Sequence, residues 1–109
     1  MPSPTAVEPQ LYRDAPTTSP NTHKVTLDND RVRILDITIE PGRTVPMHSH
    51  PDYVIYMLES AKVRFTYPDG NSEEITVKKG DSMFRKAEAH SAVNIGSSPI
   101  RALNIELKR

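Results

Sequence analysis

Apolar and polar positions alternate over short segments of the chain, and this period of two is typical of half-buried β-strands. In the segment RVRILDITIE, the residues Leu35, Ile37 and Ile39 alternate with polar positions. Val32 and Ile34 occupy the opposite parity in the same segment. The pattern therefore predicts a strand with a bulge or a change of face near Ile34.

Further segments have strand character, and turn residues such as PDG and GD separate them. These segments are 53–58, 62–67, 73–81, 90–96 and 100–108. No segment shows sustained helical periodicity. Short strands with turns at intervals of roughly eight to twelve residues predict an all-β sandwich or barrel.

The final segment has two distinct faces. Leu103, Ile105 and Leu107 share one parity, while Asn104 and Glu106 share the other. The polar pair faces either solvent or the barrel interior. Solvent is the simpler expectation, because charged residues are rarely buried without a partner.

The composition changes along the chain and limits the possible partners. Five of the ten prolines fall within the first twenty residues, which predicts a flexible arm over 1–23 and a barrel domain over 24–109. The arm is either a disordered tail or a segment that packs across a dimer partner. Because a domain of this size has a thin core, we expect a homodimer.

Charge and residue usage exclude several function classes. The formal net charge is zero and no charge block is present, so neither nucleic acid nor an anionic membrane is expected as a partner. No apolar run has the length of a transmembrane helix. The first residues lack the features of a secretory signal, which predicts a cytoplasmic location. There is no cysteine, so any metal must be bound by nitrogen and oxygen.

The segment PMHSHPD provides the first candidate site. His48 and His50 are two residues apart, so on a strand both imidazoles point to the same side. Pro46 and Pro51 flank the pair and disfavour a helix. Imidazole is the commonest protein ligand for several first-row metals. The pair alone fits a metal half-site and a pair of surface histidines equally well.

A wider arrangement favours the metal site. Five residues separate Gly42 from the HSH pair, a Gly-Asp turn follows, and His90 stands four residues before Asn94. This order of motifs resembles that of the cupin family, and the resemblance runs from about residue 24 to the C-terminus. More narrowly, the segment from the histidine pair onward resembles very small bacterial cupins associated with β-alanine degradation.

The resemblance implies a fold and a site. The fold would be an all-β, cupin-type double-sheet jelly roll of six to ten strands whose mouth holds one metal. The metal ligands of the family correspond to His48, His50 and His90. The ion would be divalent: Fe, Mn, Ni or Zn.

One family ligand has no counterpart in this chain. Cupins usually add a glutamate three or four residues after the histidine pair, and here those positions are Val54 and Ile55. Three interpretations follow. The site has three histidines and open positions for water and substrate, or Asp52 supplies an oxygen, or the metal has been lost and the pocket only binds a ligand.

Other residues remain candidates. Tyr53, Arg64 and Arg85 are candidate catalytic or substrate-binding residues, although Tyr53 is equally suited to aromatic packing and strand arginines are usually solvated. Asn94 either supports a turn or orients the third histidine. No role is assigned to His23.

Two functions from different classes follow. The first is a metal-dependent enzyme, with dioxygenase-like or Lewis-acid chemistry, that acts on a small organic acid or carbonyl compound. The second is a non-catalytic small-molecule binding or sensing barrel. The fold alone does not choose between them, because function resides in the site.

Overall fold

The computed structural model describes residues 12–108, which form one short helix and nine strands. Within this range no helix is long and apolar enough to span a bilayer. In chain order the elements are α1 (Ala15–Thr18), β1 (His23–Asp28), β2 (Val32–Ile39), β3 (Thr44–His50), β4 (Tyr53–Met57), β5 (Ala61–Thr66), β6 (Ser72–Val77), β7 (Ser82–Arg85), β8 (Glu88–Asn94) and β9 (Ile100–Leu107). The all-β prediction is confirmed.

The strands form two antiparallel sheets that face each other as a jelly-roll barrel. One sheet has the order β1-β2-β9-β4-β7, and the other has the order β3-β8-β5-β6. Neighbouring strands in each sheet are mostly distant in sequence, so the sheets cannot form without long-range pairing. The core between them is built mainly from Leu35, Ile37, Ile39, Val45, Met57, Val63, Phe65, Val77, Ala92, Ile100 and Ala102.

Strand β2 has the inward face predicted from its alternation. Leu35, Ile37 and Ile39 are all buried, and β2 pairs with β9 without interruption from Val32 to Ile39. The predicted irregularity lies in the neighbouring strand. The register of β1 shifts between Val25, which pairs with Leu35, and Leu27, which pairs with Ile34.

The polar side chains of β9 point into the barrel. Asn104 and Glu106 are 2% and 1% exposed, whereas Leu107 is 36% exposed. The expectation that the polar pair faces solvent is therefore wrong. The reason lies in other strands, because Arg33 of β2 and His50 of β3 bond the Glu106 carboxylate.

The segment before β1 contacts the barrel. Residues 1–11 of the predicted arm lie outside the described residues. Asp14 caps α1 by accepting a hydrogen bond from Thr17 N, and Ala15 is fully buried. Ser49 N on β3 donates to Arg13 O at 2.8 Å. Strand β1 begins at residue 23, the last position of the predicted arm.

Asn94 supports a turn at the end of β8. Its side-chain Nδ2 donates to Ile39 O and to Ser98 O, each at 2.9 Å. Its Oδ1 accepts from Gly96 N at 2.9 Å. These bonds are three of the four that an amide side chain can make. Of the two roles considered for Asn94, the turn is the one that the structure shows.

Candidate metal centre

His48 and His90 face each other on neighbouring strands. In the register of β3 with β8, His48 pairs with His90, and the ring centroids are 4.9 Å apart. Between Val45 and His48 the register of β3 shifts by one residue. This bulge turns both Val45 and His48 inward, although they are three residues apart. His48 and His90 are 1% and 2% exposed.

His50 is held by a carboxylate from the opposite sheet. Its Nδ1 lies 3.0 Å from Glu106 Oε2, and Arg33 Nε donates to Glu106 Oε1 at 2.7 Å. Arg33 in turn donates to Asp14 Oδ2 at 2.8 Å. Sequence analysis assigned no role to Glu106. Its only indication was the position of a charged residue between the apolar Ile105 and Leu107.

His23 joins the same cluster from β1. Its ring centroid is 5.2 Å from that of His48 and 6.2 Å from that of His50. One ring nitrogen from each of His23, His48 and His50 can be chosen so that all lie within 4.8 Å of one another. His90 is not part of this set of nitrogens, although its ring centroid lies 4.9 Å from that of His48 and 5.2 Å from that of His50. Sequence analysis missed His23, because it belongs to no spaced motif.

Burial favours the neutral form of His23, His48 and His90. It lowers the pKa of His23 to about 3, and the charges of His48 and His50 add to the effect. Burial, followed by the charge of His50, likewise lowers the pKa of His48 to about 4. Burial and the neighbouring histidines hold the pKa of His90 well below its ordinary value. Neutral imidazole is the form that binds a metal.

A second polar network adjoins the histidines. Tyr53, which is 1% exposed, donates its hydroxyl to Glu88 Oε2 at 2.5 Å. Arg85 Nε donates to the same oxygen at 2.7 Å, and the guanidinium lies 5.0 Å from the centroid of the Phe65 ring. The ring of Tyr53 is 4.6 Å from that of His50. Two of the candidate catalytic residues thus meet beside the cluster, and sequence analysis had not singled out Glu88.

Arg64 lies elsewhere. It is on the outer face of β5, with 44% of its side chain exposed, and forms an ion pair with Glu74 at 2.5 Å. The inward positions of β5 are those of Ala61, Val63 and Phe65. The structure therefore does not bring Arg64 to the histidines.

A family model of the cupin domain matches residues 35–106 of this chain. The protein belongs to the cupin family. The jelly-roll barrel and the predicted resemblance to cupins are thereby confirmed. No curated protein sequence matches this cupin.

Solved structures agree with this assignment. A cupin domain from Bordetella pertussis Tohama I is 26% identical, with a TM-score of 0.73, over 80% of this chain and 92% of that one. A cupin superfamily protein from Desulfitobacterium hafniense DCB-2 is 18% identical, with a TM-score of 0.60, over 80% and 76%, and shows the fold alone. Oxalate decarboxylase from Bacillus subtilis, a protein with Mn(II) centres, is 25% identical, with a TM-score of 0.56, over 72% of this chain and 22% of that one. None of these three is named for β-alanine degradation, so that narrower resemblance stays a prediction.

No carboxylate occupies the fourth-ligand positions in this cupin. Ile55 lines the cavity with an apolar side chain, while Val54 has the opposite parity on β4 and pairs with the exposed Phe84. The alternative ligand Asp52 accepts a hydrogen bond from Ala87 N through Oδ1 at 2.8 Å. Asp52 therefore ties the loop after β3 to the start of β8 and is not part of the cavity lining.

The donor atoms of this cupin fit a metal ion. His48 Nδ1 is 2.7 Å from Pro46 O, and a carbonyl can only accept, so Nδ1 carries the proton and Nε2 has the free lone pair. By the same reasoning, the bond to Glu106 assigns the proton of His50 to Nδ1. Among the described residues, the buried His48 Nε2 has no hydrogen-bond partner, and the same holds for His90 Nδ1, although Glu88 Oε2 lies 3.5 Å from it. Unpartnered buried nitrogens with oriented rings are characteristic of metal ligands.

The enclosed space is small and mostly apolar. Its volume is about 50 Å³, and the four histidines form one part of its wall together with Tyr53 and Asn104. The rest is lined by apolar side chains of both sheets. Pockets for drug-sized ligands measure roughly 300–1,000 Å³. A molecule of only a few heavy atoms therefore suits this cavity.

Proposed function

We propose that this cupin is a metal-dependent enzyme that acts on a small organic acid or carbonyl compound. One divalent ion, Fe, Mn, Ni or Zn, would be held by His48, His50 and His90. The observation that carries the proposal is the buried His48 Nε2, which has no hydrogen-bond partner within residues 12–108 and lies in a cluster of histidines. Neutral nitrogen ligands suit all four ions.

The bound ion would supply a Lewis acid that polarises a carbonyl or carboxylate, or an open position for O₂ as in cupin dioxygenases. The protein's own groups would orient the substrate and hold its protons. Asn104 Oδ1 is a buried acceptor without a partner in the described part of the chain, so it is suited to accept a hydrogen bond from a substrate hydroxyl or protonated acid. The apolar remainder of the cavity offers water few hydrogen-bond partners.

Tyr53 and Glu88 are the groups best placed to hold a proton next to the histidines. Burial, with the Glu88 charge as the next cause, raises the pKa of Tyr53 well above its ordinary value. The phenol therefore stays protonated and donates to Glu88. Arg85 contacts both Glu88 oxygens, at 2.7 and 3.1 Å, which fixes the carboxylate. In this proposal Tyr53 and Arg85 serve the site, while Arg64 does not.

A non-catalytic binding or sensing barrel is the second candidate. It is favoured by the apolar Ile55 at a fourth-ligand position and by the small number of polar atoms in the cavity. The two functions differ in one measurable way. Anaerobic protein is loaded in turn with each of the four ions and incubated with a panel of two- to five-carbon acids and carbonyl compounds, with and without O₂. Product formation that is lost in His50→Ala supports the enzyme. Saturable binding without any product supports the binding barrel.

The proposal also retains the homodimer and the cytoplasmic location expected from the sequence. An apolar row crosses the outer face of the five-stranded sheet, because Leu27, Ile34, Ile105, Val54 and Phe84 pair with one another in successive strands. Leu27 is 43% exposed and Phe84 is 58% exposed. A second copy related by a two-fold axis would present the same row, and its burial would add to a thin core.

A further inference from the structure

His23 has a position that no cupin motif of this chain accounts for. It is 4% exposed and begins β1, twelve residues before the part of the chain that the family model matches. Even so, its ring lies 5.2 Å from that of His48, and the ring nitrogens of His23, His48 and His50 come within 4.8 Å of one another.

The backbone before β1 fixes this position. His23 N donates to Ser19 O at 3.0 Å, and Thr38 N on β2 donates to Thr22 O at 3.0 Å. In the register of β1 with β2, His23 pairs with the buried Ile37. The ring therefore points into the barrel because of backbone pairing.

The hydrogen bonds around the His23 ring fit a proton on Nδ1. Thr22 Oγ1 donates its proton to Ser19 O at 3.2 Å and lies 2.9 Å from His23 Nδ1. A hydroxyl has one proton to donate, so while Thr22 donates to Ser19 O it accepts in the second contact, and His23 Nδ1 then carries the hydrogen. His23 Nε2 then has the free lone pair. His48 and His50 have the same tautomer for the same kind of reason.

We propose that His23 is a further nitrogen ligand of the metal ion and takes the place of the carboxylate that is absent at Val54 and Ile55. The inference rests on the proposed metal function. The carboxylate of Glu106 on β9 also lies in the interior. It is unsuited to this role, because its two oxygens already bond Arg33 and His50. His23 is thus the imidazole that the five-stranded sheet brings to the cluster.

The test uses Zn²⁺ as the probe and nuclear magnetic resonance as the measurement. The chain has four histidines, so tag-free protein labelled with ¹⁵N only in histidine gives four ring systems in a long-range ¹H–¹⁵N spectrum. We expect one equivalent of Zn²⁺ to shift the Nε2 resonance of His23 together with those of His48 and His50. A His23 Nε2 resonance that stays at its metal-free position while the other two move would overturn the inference.

Variants give a second, independent measurement. We expect His23→Ala to weaken Zn²⁺ binding by more than about tenfold, since the loss of even an orienting residue commonly costs ten- to a hundredfold. His23→Glu restores a carboxylate and should keep affinity within about threefold of wild type if it coordinates, whereas a role in packing alone would give the opposite order. Lys24→Ala, at an exposed neighbouring position, is the matched control and should bind like wild type.

Failure of this inference differs from failure of the proposed function. Wild-type protein that takes up no Zn²⁺ overturns both. Zn²⁺ uptake that requires His48 but is unchanged in His23→Ala overturns only the role of His23. If His23→Ala does not fold, the wild-type spectrum alone decides.

Discussion

Glu106 Oε2 lies 3.0 Å from His50 Nδ1, and this contact joins the last strand of one sheet to the histidine pair of the other. The opposite oxygen of Glu106 bonds Arg33. The carboxylate is thus neutralised on one side and orients an imidazole on the other. Such carboxylate–histidine pairs fix the tautomer of a metal ligand and raise its basicity.

Replacing Glu106 tests this arrangement. We expect Glu106→Gln to weaken Zn²⁺ binding about 10- to 100-fold and to lower the free energy of unfolding by about 2 kcal/mol, because a buried charged hydrogen bond is lost. Calorimetric titration and urea denaturation measure the two effects. The matched control is Glu74→Gln, whose ion pair with Arg64 is exposed and should contribute less than about 1 kcal/mol. Equal effects of the two variants would contradict this role of Glu106.

Metal-free protein should lose stability in acid. The pKa values of His23 and His48, about 3 and about 4, lie below the ordinary value of 6.5, so below pH 6.5 the unfolded chain binds more protons than the folded one. The contribution of each histidine is complete above pH 6.5 and falls by about 1.4 kcal/mol per pH unit as the pH drops toward the folded value. Urea denaturation of chelator-treated protein between about pH 7 and pH 5 measures the slope. A free energy that is constant or rises in acid would refute the prediction.

Arg64 and Arg85 should respond differently to removal. Arg85 is 16% exposed and bonds Glu88 and Tyr67, so Arg85→Ala should lower the free energy of unfolding by about 2 kcal/mol. Arg64→Ala should change it by less than about 1 kcal/mol and leave Zn²⁺ uptake unaltered. Thermal and urea denaturation of both variants measure these changes. A larger loss of stability in Arg64→Ala than in Arg85→Ala would contradict the prediction.

The apolar row on the five-stranded sheet gives a prediction about assembly. Phe84→Lys places a charge at the most exposed large apolar side chain of the described residues, so we expect it to convert a dimer to a monomer in light scattering coupled to size-exclusion chromatography. Lys79→Ala, in the exposed turn before β7, is the control and should remain dimeric. Wild-type protein that is monomeric at all concentrations would rule out the homodimer.

The parts of the fold that sequence analysis predicted are those with a local pattern. The alternation of Leu35, Ile37 and Ile39 predicted β2, because burial of one strand face repeats every two residues. The spacing of His48 and His50 predicted two rings on one side of a strand. In each case the physical cause operates within a few residues of chain.

The parts that could not be predicted depend on partners far away in the sequence. Glu106 and Asn104 point inward although both side chains are polar. The groups that bond Glu106 lie more than fifty residues away in the sequence. His23 enters the cluster through the pairing of β1 with β2, which no spacing of residues in the sequence predicts. Glu88 faces His50 across the register of β3 with β8. Only the three-dimensional pairing brings these groups together.

The central claim is that the histidine cluster binds one metal ion, and metal content tests it most directly. Tag-free wild-type protein and His48→Ala are analysed side by side by inductively coupled plasma mass spectrometry, as purified and after anaerobic loading with Fe, Mn, Ni or Zn. We predict about one ion per wild-type chain and a loss of that ion in the variant. Wild-type protein that holds no stoichiometric metal after loading, or a variant that retains it fully, would contradict the account.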